Sequence, residues 1–170
     1  MALTLLDPAV GAEAHVEARL DREPIIWLAT VSPRGRPHAV PVWFAWNDPT
    51  VAIFSQPSTA KLGHLRSNSA VSLTLDSAQN GTDIVIGEGR AELTSLDQVG
   101  DLLTIFTRNY QPMLQDQAIE QWLETFSQPI VISVDKLIAW TKTADGLDYR
   151  SLGKPRFTTN PRTESTQRTR

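Results

Sequence analysis

The sequence predicts a mainly β protein, a small β-barrel of about six strands with flanking helices. Three observations predict it. Short, apolar, β-branched runs recur between turn residues, as at Ile25–Val31, Val51–Ser55 and Pro129–Val134. Their links are mainly hairpin-like. The early strands lack the long helical crossovers that a parallel, doubly wound sheet requires.

Taken in order, Glu13–Leu20 reads as a helix with Ala14, Val16, Ala18 and Leu20 as apolar contacts, and Pro24 ends it. Ile25–Val31 reads as a buried strand. Ser32–Arg36 is a turn, because Pro33 presets φ and Gly35 supplies positive φ. Pro37–Trp46 reads as the return strand, 47–50 as a turn, and Val51–Ser55 as a third strand. A short helix follows from Ser58 to about Ser67. Val71–Leu75 alternates apolar and polar residues, as a half-buried strand should. Asn80-Gly81 is a hairpin signal. Ile84–Leu93 is a long strand whose Gly87 and Gly89 predict a bulge or a close backbone approach. Asp97–Tyr110 and Ile119–Phe126 read as helices, the first capped by Ser95 or Asp97. Pro129–Val134 is the last core strand and continues toward Trp140.

A chain of 170 residues supports one domain, expected over 1–150. Residues 151–170 turn polar and basic and read as a disordered tail, with Lys154, Arg156, Arg162, Arg168 and Arg170 against Glu164. A net charge of −3 disfavours non-specific nucleic-acid binding. The chain has no cysteine, which excludes disulfides, thiolate catalysis and Cys metal sites. Its three histidines, His15, His38 and His64, show no metal-ligand spacing, so no metal is expected. No apolar run is long enough to span a membrane, and the N-terminus lacks a signal-peptide pattern. A cytoplasmic location is the expectation.

The stretch Ile53–Asn68 carries the most chemistry. An apolar strand runs into a hydroxyl-rich turn that opens a helix bearing Lys61 and Arg66. Helix N-terminal N–H groups, hydroxyls and a nearby ammonium are what a phosphate needs. Ser58 is equally a plain N-cap, and Lys61 equally a solvated lysine. Leu62 and Leu65 form the apolar side of this helix, which turns His64 toward the surface. Trp43 either packs on a flat ring at a barrel mouth or fills core. Acids such as Asp76, Asp83, Glu88 and Glu92 form no evident pair. No P-loop, dinucleotide fingerprint, nucleophile elbow or zinc-protease motif occurs, so a bound cofactor is expected to do any chemistry.

The ordered set Leu28-Ala29-Thr30, Gly35 to His38, Pro41 to Phe44, Ile53 to Ser55, Ser58 to Lys61, Leu65-Arg66, Asn68, Val71 to Leu73 and Gly87 to Gly89 resembles the pyridoxamine 5'-phosphate oxidase-like superfamily. Within it the chain is most similar to the flavin/deazaflavin oxidoreductases that use coenzyme F-420. The resemblance spans about residues 12–141. It implies an FMN-binding-type split β-barrel, a homodimer, and a cofactor held in a cleft at the dimer interface. It implies that Pro41, Val42 and Trp43 line the ring system, and that Ser55, Ser58, Thr59, Ala60 and Lys61 hold the phosphate. Leu65 and Arg66 would flank that phosphate, and Thr82 and Ile84 would approach from the glycine-bearing strand.

The flavin-dependent oxidases carry Arg and Lys at the positions of Val40 and Ala45, and Ser-Arg-Lys where this chain has Thr59-Ala60-Lys61. The resemblance therefore points to F-420 as cofactor, with FMN as the alternative. Arg34, Arg36 and the basic C-terminus are candidates for its negative tail. The implied activity is hydride transfer to a small electron-poor acceptor. A non-catalytic carrier of a cofactor or haem-like ligand is the competing class. The residues assign no catalytic side chain.

Overall fold

The computed structural model describes residues 2–75, 81–153 and 156–158. Its strands are β1 (Ala2–Thr4), β2 (Ile26–Val31), β3 (Pro37–Val42), β4 (Ala45–Asn47), β5 (Thr50–Ser55), β6 (Ala70–Leu75), β7 (Asp83–Leu93), β8 (Gln128–Thr143), β9 (Gly146–Gly153) and β10 (Arg156–Thr158). Its α-helices are α1 (Gly11–Arg22), α2 (Ala60–Ser67), α3 (Asp101–Tyr110) and α4 (Ile119–Thr125).

An antiparallel sheet of eight strands runs in the order β3-β2-β6-β7-β8-β5-β4, with β9 paired to β8. It curls into a split β-barrel with flanking helices. The count exceeds six for two reasons. The single return strand expected over Pro37–Trp46 is two strands, because Trp43 and Phe44 leave the ladder between β3 and β4. The first half pairs with β2 and the second with β5, so one kinked segment joins the two edges of the sheet. β8 is also longer than expected, and its far half carries β9.

The break at Trp43-Phe44 is sealed by a side chain from α3. The Tyr110 hydroxyl accepts from the Phe44 N–H at 2.9 Å and lies 2.9 Å from both the Phe44 and Pro24 carbonyl oxygens. Its own proton serves one of these acceptors at a time. Burial pushes the Tyr110 phenol up to about 12, even though the Phe44 N–H favours the phenolate.

The glycine pair of β7 does what its sequence indicates. The β7–β8 register shifts between Glu88 and Gly89, so Asp135 has no cross-strand partner. A Cβ on Gly89 would collide with the Ser133 carbonyl oxygen. Two apolar clusters hold the layers. One fills the curl of the sheet and includes Leu28, Phe44, Val51, Ile53, Leu73, Ile130 and Ile132. The other lies under α3 and α4 and joins Ala52, Phe54, Leu102, Phe106, Tyr110 and Leu123.

Three boundaries differ from expectation. α3 starts at Asp101 and not Asp97, because Gly100 at φ 61° interrupts it after a one-turn 3-10 helix at Leu96–Gln98. α2 starts at Ala60, with Thr59 as N-cap and no capping side-chain bond, so Ser58 is not the cap. The tail begins later than residue 151, since Ser151–Gly153 complete β9 and Arg156–Thr158 pair with Ala2–Thr4. Residues 159–170, Lys154 and the Gln79-Asn80 part of the hairpin signal lie outside the described residues.

Candidate functional site

The strand-to-helix turn after β5 is built as a tight hydroxyl cluster. Ser55 is 1% exposed, and its Oγ lies 2.8 Å from the Thr59 Oγ1. Both hydroxyls also reach the Gln56 carbonyl oxygen, at 3.1 Å and 3.2 Å. Ser55 therefore acts inside the protein, fixing Thr59 and the turn. Ser58 and Ala60 are exposed on its outer side. Ala60 and Lys61 open α2, where backbone N–H groups have no acceptor within the helix.

Lys61 is half-buried, and burial lowers its ammonium below the ordinary lysine value. It has no ion pair or hydrogen bond among the described residues. A partly desolvated cation without a counter-ion, beside free helix N–H groups, is chemically matched to a phosphate. The residues present thus fit a phosphorylated cofactor at this turn. An anion there would meet Lys61, the first N–H groups of α2 and the lone pairs and proton of a pre-positioned Thr59.

Other expected residues divide. Leu65 is 5% exposed and belongs to the barrel core. Arg66 is exposed in the last turn of α2, beyond Lys61. Trp43 is half-buried, stacked on Tyr110 at 4.6 Å between ring centroids and on Trp122 at 5.4 Å. Most of its ring is committed to the aromatic cluster under α3, which is the core-filling role. Pro41 is exposed and Val42 half-buried at the end of β3, next to it.

Thr82 and Ile84 are not brought to the turn by this chain. Leu93 pairs with Ile130, which pairs with Ile53, so the Leu93 end of β7 is the end near Ser55. Ile84 lies nine residues away along β7, roughly 30 Å at the usual strand rise.

His64 is the clear correction. It is 8% exposed, not a surface residue. Its Nδ1 lies 3.0 Å from the Thr30 Oγ1, and its ring stands 4.6 Å from that of His38 on β3. Leu62 and Leu65 are buried as expected. The polar end of the barrel, where Thr30 points inward, admits a histidine as well. No signal in the sequence joins Thr30, His38 and His64.

β3 itself is bare. Pro37 through Pro41 are exposed and only Val42 is half-buried. Its register with β2 sets Trp27 beside Pro41, Ala29 beside Ala39 and Val31 beside Pro37 on one face. None of these six side chains is charged, and Trp27 is 39% exposed.

A second polar cluster was invisible in the sequence. Arg19 of α1 is 1% exposed and reaches the Asp83 carboxylate at 3.2 Å and its carbonyl oxygen at 2.6 Å. The His15 Nε2 also meets that carboxylate, at 3.1 Å. Asp83 thus pairs with basic side chains of α1 and not with another acid, and its partner His15 lies 68 residues away, a separation no local pattern encodes. Among the described residues no group of His and acidic side chains is arranged to hold a metal ion. No helix among them is long and apolar enough to cross a membrane.

Known folds place this architecture. A conserved hypothetical protein from Mycobacterium tuberculosis aligns with TM-score 0.62 and 19% identity, over 89% of this chain and 93% of its own. An F-420 reductase aligns with TM-score 0.57 and 22% identity, over 71% of this chain and 94% of its own. An FAD-binding protein from Mesorhizobium loti aligns with TM-score 0.53 and 22% identity, over 73% and 90%. Comparison with curated proteins gives no match. The family model described as pyridoxamine 5'-phosphate oxidase matches residues 12–126, a span that runs from α1 to α4 and contains the Ser55–Lys61 turn. By fold and by that match, the chain belongs to the pyridoxamine 5'-phosphate oxidase family.

Proposed function

We propose that the protein is a cofactor-dependent oxidoreductase that binds deazaflavin coenzyme F-420 and reduces a small electron-poor organic molecule, acting as a cytoplasmic homodimer. A flavin-type cofactor is the broader reading, supported by the family and by neighbours named as an F-420 reductase and an FAD-binding protein. The observation that carries it is Lys61, a half-buried cation without a partner among the described residues, at the head of α2.

F-420 is favoured over FMN by two positions. Ala45 is fully buried under α3 and α4, and Val40 is neutral, so neither offers a cation to a flavin phosphate. Arg34 and Arg36 are exposed in the β2–β3 turn and remain candidates for the acidic tail of F-420. When bound in its reduced form, the coenzyme supplies a hydride. The chain's part is to hold the phosphate at Lys61 and the α2 N-terminus, and to leave β3 open beside it.

The second copy is supported by the uncharged outer face of the β2–β3 hairpin. Three side chains of β2 and three of β3, all apolar, beside the free edge of β3 are the composition of a covered surface. A partner there would also relieve the separation between Lys61 and Ile84 by contributing its own β7.

The test uses chemically reduced F-420 mixed with the protein and a set of enones, quinones and tetrapyrroles. Protein-dependent reoxidation of the coenzyme, lost in Lys61→Ala, is the expected result. Tight binding with no reoxidation by any acceptor would make the protein a carrier. Preference for FMN over F-420 would move it to the flavin-dependent branch.

A further inference from the structure

A cavity of about 350 Å³ lies between α1 and the β8–β9 hairpin, away from the Ser55–Lys61 turn. Ala12, His15 and Val16 line it from the helix, and Ala139, Thr141, Asp148 and Arg150 are among those that line it from the strands. Its size suits a single-ring organic molecule.

The polar groups are ordered in a chain. Arg19 is fully buried and fixes the Asp83 carboxylate. Asp83, 4% exposed, also takes a bond from the Thr141 hydroxyl at 3.3 Å and lies 3.1 Å from the His15 Nε2. Arg19 is shared between Asp83 and Glu23, and His15 takes the remaining side of the Asp83 carboxylate. What His15 gains from Asp83 is a fixed tautomer. The carboxylate can only accept, so Nε2 carries its proton toward Asp83, and Nδ1 is the nitrogen that can take a proton from a ligand. Nδ1 has no hydrogen-bond partner among the described residues, and the imidazole is 39% exposed. Across the cavity, the Asp148 carboxylate holds the Arg150 guanidinium at 2.9 Å, which leaves further N–H donors there.

We propose that this cavity is a second ligand site, independent of the cofactor turn, that binds a small ring-bearing acidic hydroxyl compound of the phenol or enol class with His15 as its proton acceptor. Ala12, Val16 and Ala139 cover the ring. The O–H bond of the ligand breaks and its proton moves to Nδ1 of His15. The electron pair stays on oxygen, leaving an oxyanion beside an imidazolium whose Nε2–H remains on Asp83. The Arg150 N–H groups that Asp148 does not take donate to that oxyanion. No oxidant or second reactant is needed.

para-Nitrophenol is the probe, because its phenolate absorbs where the phenol does not. It is titrated with the full-length protein, without added cofactor, at a pH where the free probe is mostly protonated. The expected result is a saturable rise in the phenolate band. His15→Gln keeps a good helix former at a half-exposed position, so it is expected to fold. It should abolish the band and weaken binding about tenfold or more. Ala12→Leu, which narrows the cavity and keeps the His15 imidazole, should also weaken binding. Lys61→Ala should leave the titration unchanged. Thermal melts of each variant keep loss of fold apart from loss of the site. No saturable phenolate signal with wild type would overturn the proposal, as would wild-type behaviour of His15→Gln. A signal lost in Lys61→Ala but kept in His15→Gln would place the probe in the cofactor turn and equally overturn it.

Discussion

β5 and β3 are both six-residue strands of one sheet, yet they live in opposite environments. β5 is flanked by β4 and β8, and its side chains serve both clusters, with Val51 and Ile53 in the curl and Ala52 and Phe54 under α3. β3 pairs only with β2 and is exposed at five of six positions. Its residues, Pro-His-Ala-Val-Pro-Val, are no more polar than those of an internal strand. Prolines at 37 and 41 suit an edge, since they need no ladder donor. The difference separates a strand covered on both sides by the chain's own elements from an edge strand left open among the described residues. Lys61 repeats the lesson at one residue: it is half-buried and has no partner among the described residues.

The sharpest way to show that β5 carries the fold is Ile53→Ala. Ile53 is 0% exposed, and truncation should cost about 2–5 kcal/mol in chemical denaturation. Next in size is the seal between β3 and β4. Tyr110→Phe leaves the Phe44 N–H without its acceptor and should cost about 1–3 kcal/mol. A loss well below that would mean the break in the ladder is satisfied another way.

The same reasoning predicts little loss of folding stability on β3. Ala39→Glu puts a charge in the middle of the uncharged face, and sedimentation should show dimers giving way to folded monomers. The protomer's own stability should change by no more than about 0.5 kcal/mol. A variant that unfolds, or one that stays dimeric, would break the contrast between the two strands.

The smallest effect concerns pH. Asp48 accepts the Leu5 and Leu6 N–H groups, each at 2.8 Å, and burial still raises its carboxyl above the ordinary value, with Glu17 and Glu13 adding to the rise. The folded state therefore binds this proton more tightly than the unfolded state. The resulting stabilisation is complete below the unfolded value and is lost as pH rises through the folded one. Asp48→Asn should flatten that part of the stability profile, as read by melts across the acid range.

Much of the fold was legible because strand periodicity is local. Ile26–Val31, Val51–Ser55 and the Gly87–Gly89 bulge appear where β-branched alternation and glycine predict them. β9 was not legible, because Gly146–Gly153 mixes Asp, Arg and Ser with exposed Leu147 and Tyr149 and gains its strand from β8. The kink at Trp43-Phe44 depends on Tyr110, 66 residues away. The strand-to-helix turn and the place of Lys61 in it were readable because they are contiguous in sequence. His64 and the His15–Asp83 pair were not, since their partners meet only when the sheet curls.

The central claim is that the Ser55–Lys61 turn holds the phosphate of a deazaflavin. Its most direct test is an equilibrium titration of wild type and Lys61→Ala with F-420 and, separately, FMN, followed by tryptophan fluorescence. The account predicts tight F-420 binding by wild type, weak FMN binding, and a loss of about tenfold to a hundredfold in F-420 affinity for the variant. Because Lys61 is half-buried and has no partner among the described residues, the variant should melt no lower than wild type. Undiminished F-420 binding by a folded Lys61→Ala protein would contradict the account.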